Sequence, residues 1–458
     1  MTTRRMRSIA LALALAAPSP ASAQPALAGA EAAAQTPSAD RPGPREADRP
    51  PQAPSPPPSA GYTSYGAEGA RLHLALGPPP GSFRDDPLVR RGVYDRPYLM
   101  RLGSPTTDVA LGGYFDLVAS YLQQQGVSDG FTAEARRFNL FVTSRIADRV
   151  RLSSEIELEH GTRAISIEFA ALDVLLHHTL NLRGGIVLVP IGKFNLAHDS
   201  PLYDVVDRPL VSTRILPSTY GDVGGGLFGA FYPGGHKLTY EAYIVNGLGE
   251  GILAAEGTRI AQGRASSRFE RDANGQPAVT ARLGYASPPR RWLQLETALS
   301  FYAGAYNTPV LEGLEVDPPR WLHLLAWDLE ASIGPLTLRG EAAYARIDLP
   351  QGLTERHASE QAGLYAEIVG TIFKRPLVLF QRASLAAVGR LDWVDLNLNR
   401  RPDGEPVGDE TLRLTLGVSF RPAPGTSLRV GYRHDWIRDP LNNPLRGGGF
   451  QLGIASYF

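Results

Sequence analysis

The sequence contains no cysteine, and only three of its 46 basic residues are lysines, Lys193, Lys237 and Lys374. Without thiols there are no disulfides, no Cys-ligated zinc, no iron–sulfur cluster and no thiol nucleophile. Charge of one sign is missing too, because 46 Lys and Arg face 46 Asp and Glu over 458 residues. A chain with no net charge offers polyanions no bulk attraction, so no nucleic-acid partner is expected. A mean hydropathy of −0.15 with 20% charged residues excludes a bundle of membrane-spanning helices, each needing about 20 consecutive apolar residues. Strands escape that exclusion, because alternation hides their apolarity.

What is present begins with a targeting pattern. Arg4, Arg5 and Arg7 precede the apolar run 9–17, and Ala21-Ser22-Ala23 follows. A basic start, a short apolar stretch and a small-residue site predict a secretory signal peptide over residues 1–23, cut before Gln24. Residues 24–60 are rich in Ala and Pro, which predicts a disordered periplasmic tail. Residues 61–106 are mixed, and their fold is not assigned.

From Thr107 the dominant period is two. In 149–160, Val150, Leu152, Ile156 and Leu158 share one face, with Arg149, Arg151, Glu155, Glu157 and Glu159 on the other. In 411–421, Leu412, Leu414, Leu416, Val418 and Phe420 oppose Thr411, Arg413, Thr415, Ser419 and Arg421. Alternation sustained over ten or so residues exceeds the ~5–6 of a soluble strand and matches a tilted membrane crossing of about 9–11. Such segments fall near 107–122, 134–147, 149–160, 165–176, 178–190, 222–233, 236–247 and 278–287. Eight more fall near 291–303, 322–333, 335–347, 361–373, 380–394, 410–421, 426–437 and 448–458. The expected fold is all-β, a transmembrane antiparallel barrel of about 16 strands over 107–458.

Short turns, such as Ala147-Asp148, His177-His178, Gly334 and 422–425, alternate with longer loops, the longest near 191–221 and 248–277. That is the asymmetry of an outer-membrane barrel, with tight periplasmic turns and long external loops. Tyr232, Tyr285, Trp292 and Phe420 are expected to ring the short-turn side, and Tyr121, Phe301, Tyr302 and Trp436 the long-loop side. Phe450, Leu452, Ile454 and Phe458 share the outward phase, and Phe458 fits an insertion signal read by barrel assembly machinery.

The segments 154–161, 167–176, 180–201, 207–218 and 222–235 (the last reading DVGGGLFGAFYPGG) resemble the phosphate-selective porin O and P family. The resemblance implies a sixteen-stranded, homotrimeric diffusion channel in the bacterial outer membrane. It also implies a pore lined by Arg ladders and a Lys cluster, and three scattered lysines do not supply the latter. Candidate lumen cations are Arg137, Arg145, Arg151, Arg183, Arg282, Arg339, Arg413, Arg429 and Arg433. The same faces carry Glu155, Glu157, Glu159, Glu168, Glu241, Glu296, Glu330, Glu341 and Glu367, so the lumen is expected to be mixed in sign.

Segment 191–221 would be the third long loop, which the resemblance folds inward as a constriction. Its polar candidates are Lys193, Asn195, His198, Asp199, Asp204, Asp207, Arg208 and Arg214. Either they filter solutes by size and field, or Asp204, Asp207 and Arg208 pair with one another to hold the loop's shape. The run 395–405 has calcium-loop spacing at Asp395, Asn397 and Asn399, but Arg400 and Pro406 stand where glycine and glutamate are needed. His177-His178 lies in a turn whose side chains diverge, and no nucleophile elbow supports a hydrolase. No catalytic residue, metal or cofactor is expected. The function read from the sequence is a porin for small hydrophilic solutes and ions. Its alternatives are a phosphate-like anion channel and a non-conducting adhesin or scaffold.

Overall fold

The computed structural model describes Tyr94, residues 100–102, and residues 108–458 except 160, 162, 255, 265–268, 273, 289, 291, 354–356 and 402–403. The expected signal peptide, the Pro/Ala-rich tail and most of 61–106 lie outside the described residues.

Sixteen antiparallel strands follow one another around a closed barrel. They are β1 (Asp108–Gln124), β2 (Phe131–Ala147), β3 (Val150–Glu159), β4 (Ala164–His177), β5 (Leu180–Leu188), β6 (Gly221–Phe231), β7 (Lys237–Val245) and β8 (Ala278–Ala286). The second half comprises β9 (Gln294–Ala305), β10 (Trp321–Ile333), β11 (Leu336–Ile347), β12 (Glu360–Arg375), β13 (Ala383–Asp395), β14 (Glu410–Ala423), β15 (Thr426–Arg438) and β16 (Pro444–Tyr457). Each strand pairs with its sequence neighbours, and β1 closes the ring on β16, with Tyr114 opposite Tyr457 and Gln124 opposite Gly447. Phe458 extends that seam: its N–H donates to the Gly113 carbonyl at 3.0 Å and its ring stacks on Phe138. Below it, Met100–Leu102 pairs with the free edge of β1.

The alternation does what membrane-barrel physics requires. Leu283, Leu299, Leu325, Leu391, Leu416, Val430 and Leu452 are exposed on the outer wall. Their sequence neighbours Arg282, Ser300, Asp392, Thr415, Arg429 and Gln451 point inward. Six strand pairings carry a register shift, and two of these bulges bring extra charged side chains into the lumen. Arg136 is the extra residue where Asp116 pairs Arg137 and Leu117 pairs Ala135. Glu168 is the extra residue where Glu155 pairs Phe169 and Ile156 pairs Ile167. A bulge turns two consecutive side chains to one side; here Arg136 and Arg137, and Glu168 and Phe169, all face the lumen.

Two expectations need correcting. Tyr302 is no girdle residue, because its hydroxyl is buried inside and accepts the Leu248 N–H at 2.9 Å. The inner wall is also not polar throughout. Leu322, Leu324, Ala326, Ala343 and Ala345 are buried inward on β10 and β11, because an inserted loop covers them with apolar side chains of its own.

Candidate functional site

The third long loop, residues 189–220, folds into the barrel. Ile191, Leu210, Val211, Ile215 and Leu216 form one buried cluster with the inner faces of β9 to β11 and with Val394 of β13. Gly192 makes the first bend: its φ is +72°, and a Cβ there would lie 2.6 Å from a Glu341 carboxylate oxygen. Glu341 then ties both halves of the loop, accepting from the Phe194 N–H at 3.2 Å and the Ser212 hydroxyl at 2.6 Å.

From that anchorage the loop crosses to the opposite wall through charges. Asp204 accepts from Arg339 at 2.8 Å and from Arg421 at 3.0 Å. Asp207 accepts from Arg433 at 2.5 Å and from Gln451 at 3.0 Å, with Arg413 and Arg136 within 4 Å. The notion that Asp204, Asp207 and Arg208 pair among themselves is therefore wrong: the two aspartates are held by arginines of the wall. Burial alone would raise the Asp207 carboxyl, but Arg433, Arg413 and Arg136 bring it down to about 2. For Asp204 burial is likewise outweighed by Arg421 and Arg339, which hold it well below the usual range.

The remaining loop candidates divide by task. Lys193 bridges Glu296 and Glu330 at 2.8 and 3.1 Å. Asn195 staples the loop's base, donating to the Val189 and Tyr220 carbonyls and accepting the Tyr220 N–H. Asp199 accepts the Tyr457 hydroxyl at 2.8 Å, Arg214 donates to Thr411 at 3.1 Å, and His198 meets Glu168 at 2.8 Å. Arg208 differs. It donates to Thr219 at 3.4 Å, but its Nε and Nη2 find no acceptor among the described residues.

Arg208 borders a cavity of about 940 Å³ between the loop and the wall of β2 to β4, lined also by Arg137, Glu157, Glu159, Glu168 and Arg264. A second cavity, of about 680 Å³, opens on the short-turn side below the loop. It is lined by Asp204, Arg339, Lys374, Arg375, Arg382 and Arg421.

The wall candidates all project inward, Arg145 lying half-buried near the short turns directly opposite Arg151 and on the same face. Arg137 pairs Glu157 and Glu159 at 3.1 Å, Arg151 and Arg183 share Asp173 at 2.8 and 2.7 Å, and Arg339 reaches Glu367 at 2.8 Å. Arg413 pairs Asp435 at 2.6 Å, Arg429 pairs Asp116 at 2.9 Å, and Glu155 accepts from Asn139 at 2.5 Å. Arg282 meets Asp328 at 2.6 Å. Sequence reasoning followed Arg and Glu and passed over most of their partners: Asp116, Asp173, Asp328, Asp392, Arg390 and the bulged Arg136. Period-two phase from neighbouring residues would have found all but the last. It also missed Tyr94, which lies in the lumen beneath the Arg183 guanidinium, 3.6 Å from ring centroid to Cζ, and accepts the Leu188 N–H. In the loop 396–409, Asp395 and Asn397 each accept an N–H two residues on, forming successive Asx turns.

No protein-family model matches the chain. An uncharacterized protein of Aquifex aeolicus is 24% identical over 358 residues, covering 74% of this chain and 78% of that one. Among solved structures, an anion-selective porin from Comamonas acidovorans superposes with a TM-score of 0.49 at 11% identity, covering 77% of this chain and 100% of that one. The outer-membrane channel DcaP of Acinetobacter baumannii gives 0.46 at 13% identity, covering 79% of this chain and 100% of that one. OmpT of Vibrio cholerae gives 0.46 at 11% identity, covering 78% and 100%.

Proposed function

We propose that this chain is a bacterial outer-membrane porin through which small hydrophilic solutes and ions pass by diffusion. The observation that carries the reading is a closed barrel with an apolar outer wall and a third loop folded across its interior. That loop covers the wall of β9 to β13 and leaves a charged cavity of about 940 Å³ beside β2 to β4. A narrowing lined by fixed charges selects by size and by field. Here Arg208, with donors left over, faces Glu157, Glu159 and Glu168 across that space.

The rest of the reading follows from membrane residence. The exposed leucines meet lipid, and Phe458 at the seam serves recognition by barrel assembly machinery. Three copies associate, as the porin O and P resemblance implies. The test is insertion of the folded protein into planar bilayers. Ohmic steps with weak ion preference under a salt gradient are expected, and no conductance from a folded, heat-modifiable barrel would favour the adhesin or scaffold reading.

One observation favours the narrower anion-channel alternative. The short-turn cavity carries five basic side chains against Asp204 alone. A strongly anion-selective reversal potential, with current that saturates in phosphate, would replace general diffusion by that specific reading.

A further inference from the structure

The bulge in β4 has a consequence beyond lining the pore. By turning Glu168 inward it brings that carboxylate against His198 of the third loop, 2.8 Å from Oε2 to Nε2. Glu155 of β3 completes a group whose candidate ligand atoms all lie within 4.8 Å of one another. All three residues are buried: His198 and Glu155 are 0% exposed and Glu168 is 1% exposed.

Three features of this group call for a cation. First, Glu168 Oε1 is buried and receives no N–H or hydroxyl hydrogen bond among the described residues. Arg137 is engaged with Glu157 and Glu159 rather than with Glu168. Second, His198 Nδ1 lies 3.0 Å from the Asn195 carbonyl. Donation from Nδ1 to that carbonyl is the backbone-held orientation typical of metal-ligating histidine, and a cation would take the place of the proton now shared between Nε2 and the Glu168 carboxylate. Third, Glu168 and Glu157 border the 940 Å³ cavity, so the group is reachable from the lumen and keeps a side open to water.

We propose that Glu155, Glu168 and His198 bind a divalent first-row transition cation, which clasps the third loop to the wall of β3 and β4. One imidazole with carboxylates suits Zn²⁺ or its neighbours, whereas Mg²⁺ and Ca²⁺ prefer an all-oxygen shell. Ligands about 2.0–2.2 Å from one zinc lie roughly 3.3–3.6 Å apart, so a pair at the 4.8 Å limit closes by about 1.2–1.5 Å on binding, while His198 Nε2 and Glu168 Oε2, now 2.8 Å apart, open by about 0.5–0.8 Å. The site does not depend on conduction through the barrel, and its test reads metal rather than current.

The full-length folded protein is stripped with chelator, dialysed, and titrated with ZnCl₂ by calorimetry, with metal content measured after a second dialysis. Retention of a single zinc per chain is expected, with Ca²⁺ and Mg²⁺ failing to displace it. His198→Gln and Glu168→Gln each lower zinc affinity by about 10- to 100-fold, while His177→Gln, in an exposed turn, leaves it unchanged. No retained zinc in the wild type, or wild-type affinity in both H198Q and E168Q, overturns the proposal. Should either variant fail to fold, X-ray absorption at the zinc edge of the wild type decides. One imidazole among oxygen neighbours supports the site, and none or more than one refutes it.

Discussion

The two mouths of the barrel interior differ in charge although the chain as a whole has none. On the long-loop side the cavity sets Arg137, Arg208 and Arg264 against Glu157, Glu159 and Glu168. On the short-turn side Arg339, Lys374, Arg375, Arg382 and Arg421 face only Asp204. The third loop separates them and is fastened by charges from both. A balanced composition thus conceals a gradient along the barrel axis: on the proposed porin reading, a solute would meet a mixed field first and a positive one afterwards. Fields of this kind act over about 8 Å at physiological salt, so each mouth governs its own stretch of the path.

The largest effect should come from unfastening the loop that keeps the two mouths apart. Asp204→Ala combined with Asp207→Ala leaves Arg339, Arg421, Arg413, Arg433 and Arg136 without their loop carboxylates. Breaking one side of a buried pair costs about 3–5 kcal/mol, because the surviving charge stays desolvated. The apolar contacts of Val211, Ile215 and Leu216 keep the loop's base on β9 to β13, so the barrel should still fold while the loop's crossing arm lets go. Single-channel conductance is expected to rise about twofold or more, with a shift toward anions as five guanidiniums are uncovered. Unchanged conductance would mean that the path does not run past this arm.

A smaller effect should follow from erasing the contrast without moving the loop. Lys374→Gln, Arg375→Gln and Arg382→Gln together remove the short-turn cations that hold no loop contact, and anion preference in a salt gradient should fall by about two- to fivefold. Arg264→Gln on the long-loop side removes a single cation from a balanced set and should shift the reversal potential less. Equal shifts from the two changes would erase the distinction between the mouths.

How much of this was legible in the sequence depended on which solvent each side chain meets. All sixteen strands were readable, because lipid outside and polar surroundings inside impose opposite chemistry on alternate residues. The phase failed where that contrast fails. At Leu322, Leu324, Ala343 and Ala345 the inserted loop makes the inner face apolar as well, so both faces read alike. At the bulges the phase slips by one, and nothing in the residues around Arg136 or Glu168 announces it. The loop's eight polar residues could be marked from the sequence only as a group. Their partners were not legible, because a wall arginine more than a hundred positions away leaves no local trace at Asp204 or Asp207.

The smallest effect concerns acid. A carboxyl depressed in the folded state stabilises above its unfolded pKa of about 3.9 and loses that contribution as pH falls through its folded value. For Asp207 that folded value is about 2, and Asp204 lies below the usual range. The fastening of the third loop should therefore be constant from neutral pH down to about 4 and fail only as pH approaches 2. Conductance recorded against pH should show a plateau over the first interval and a rise at the bottom of the second. A loop held by ordinary surface carboxylates would already loosen near pH 4. A rise beginning there would show that the wall arginines do not hold Asp204 and Asp207 as tightly as their spacing requires.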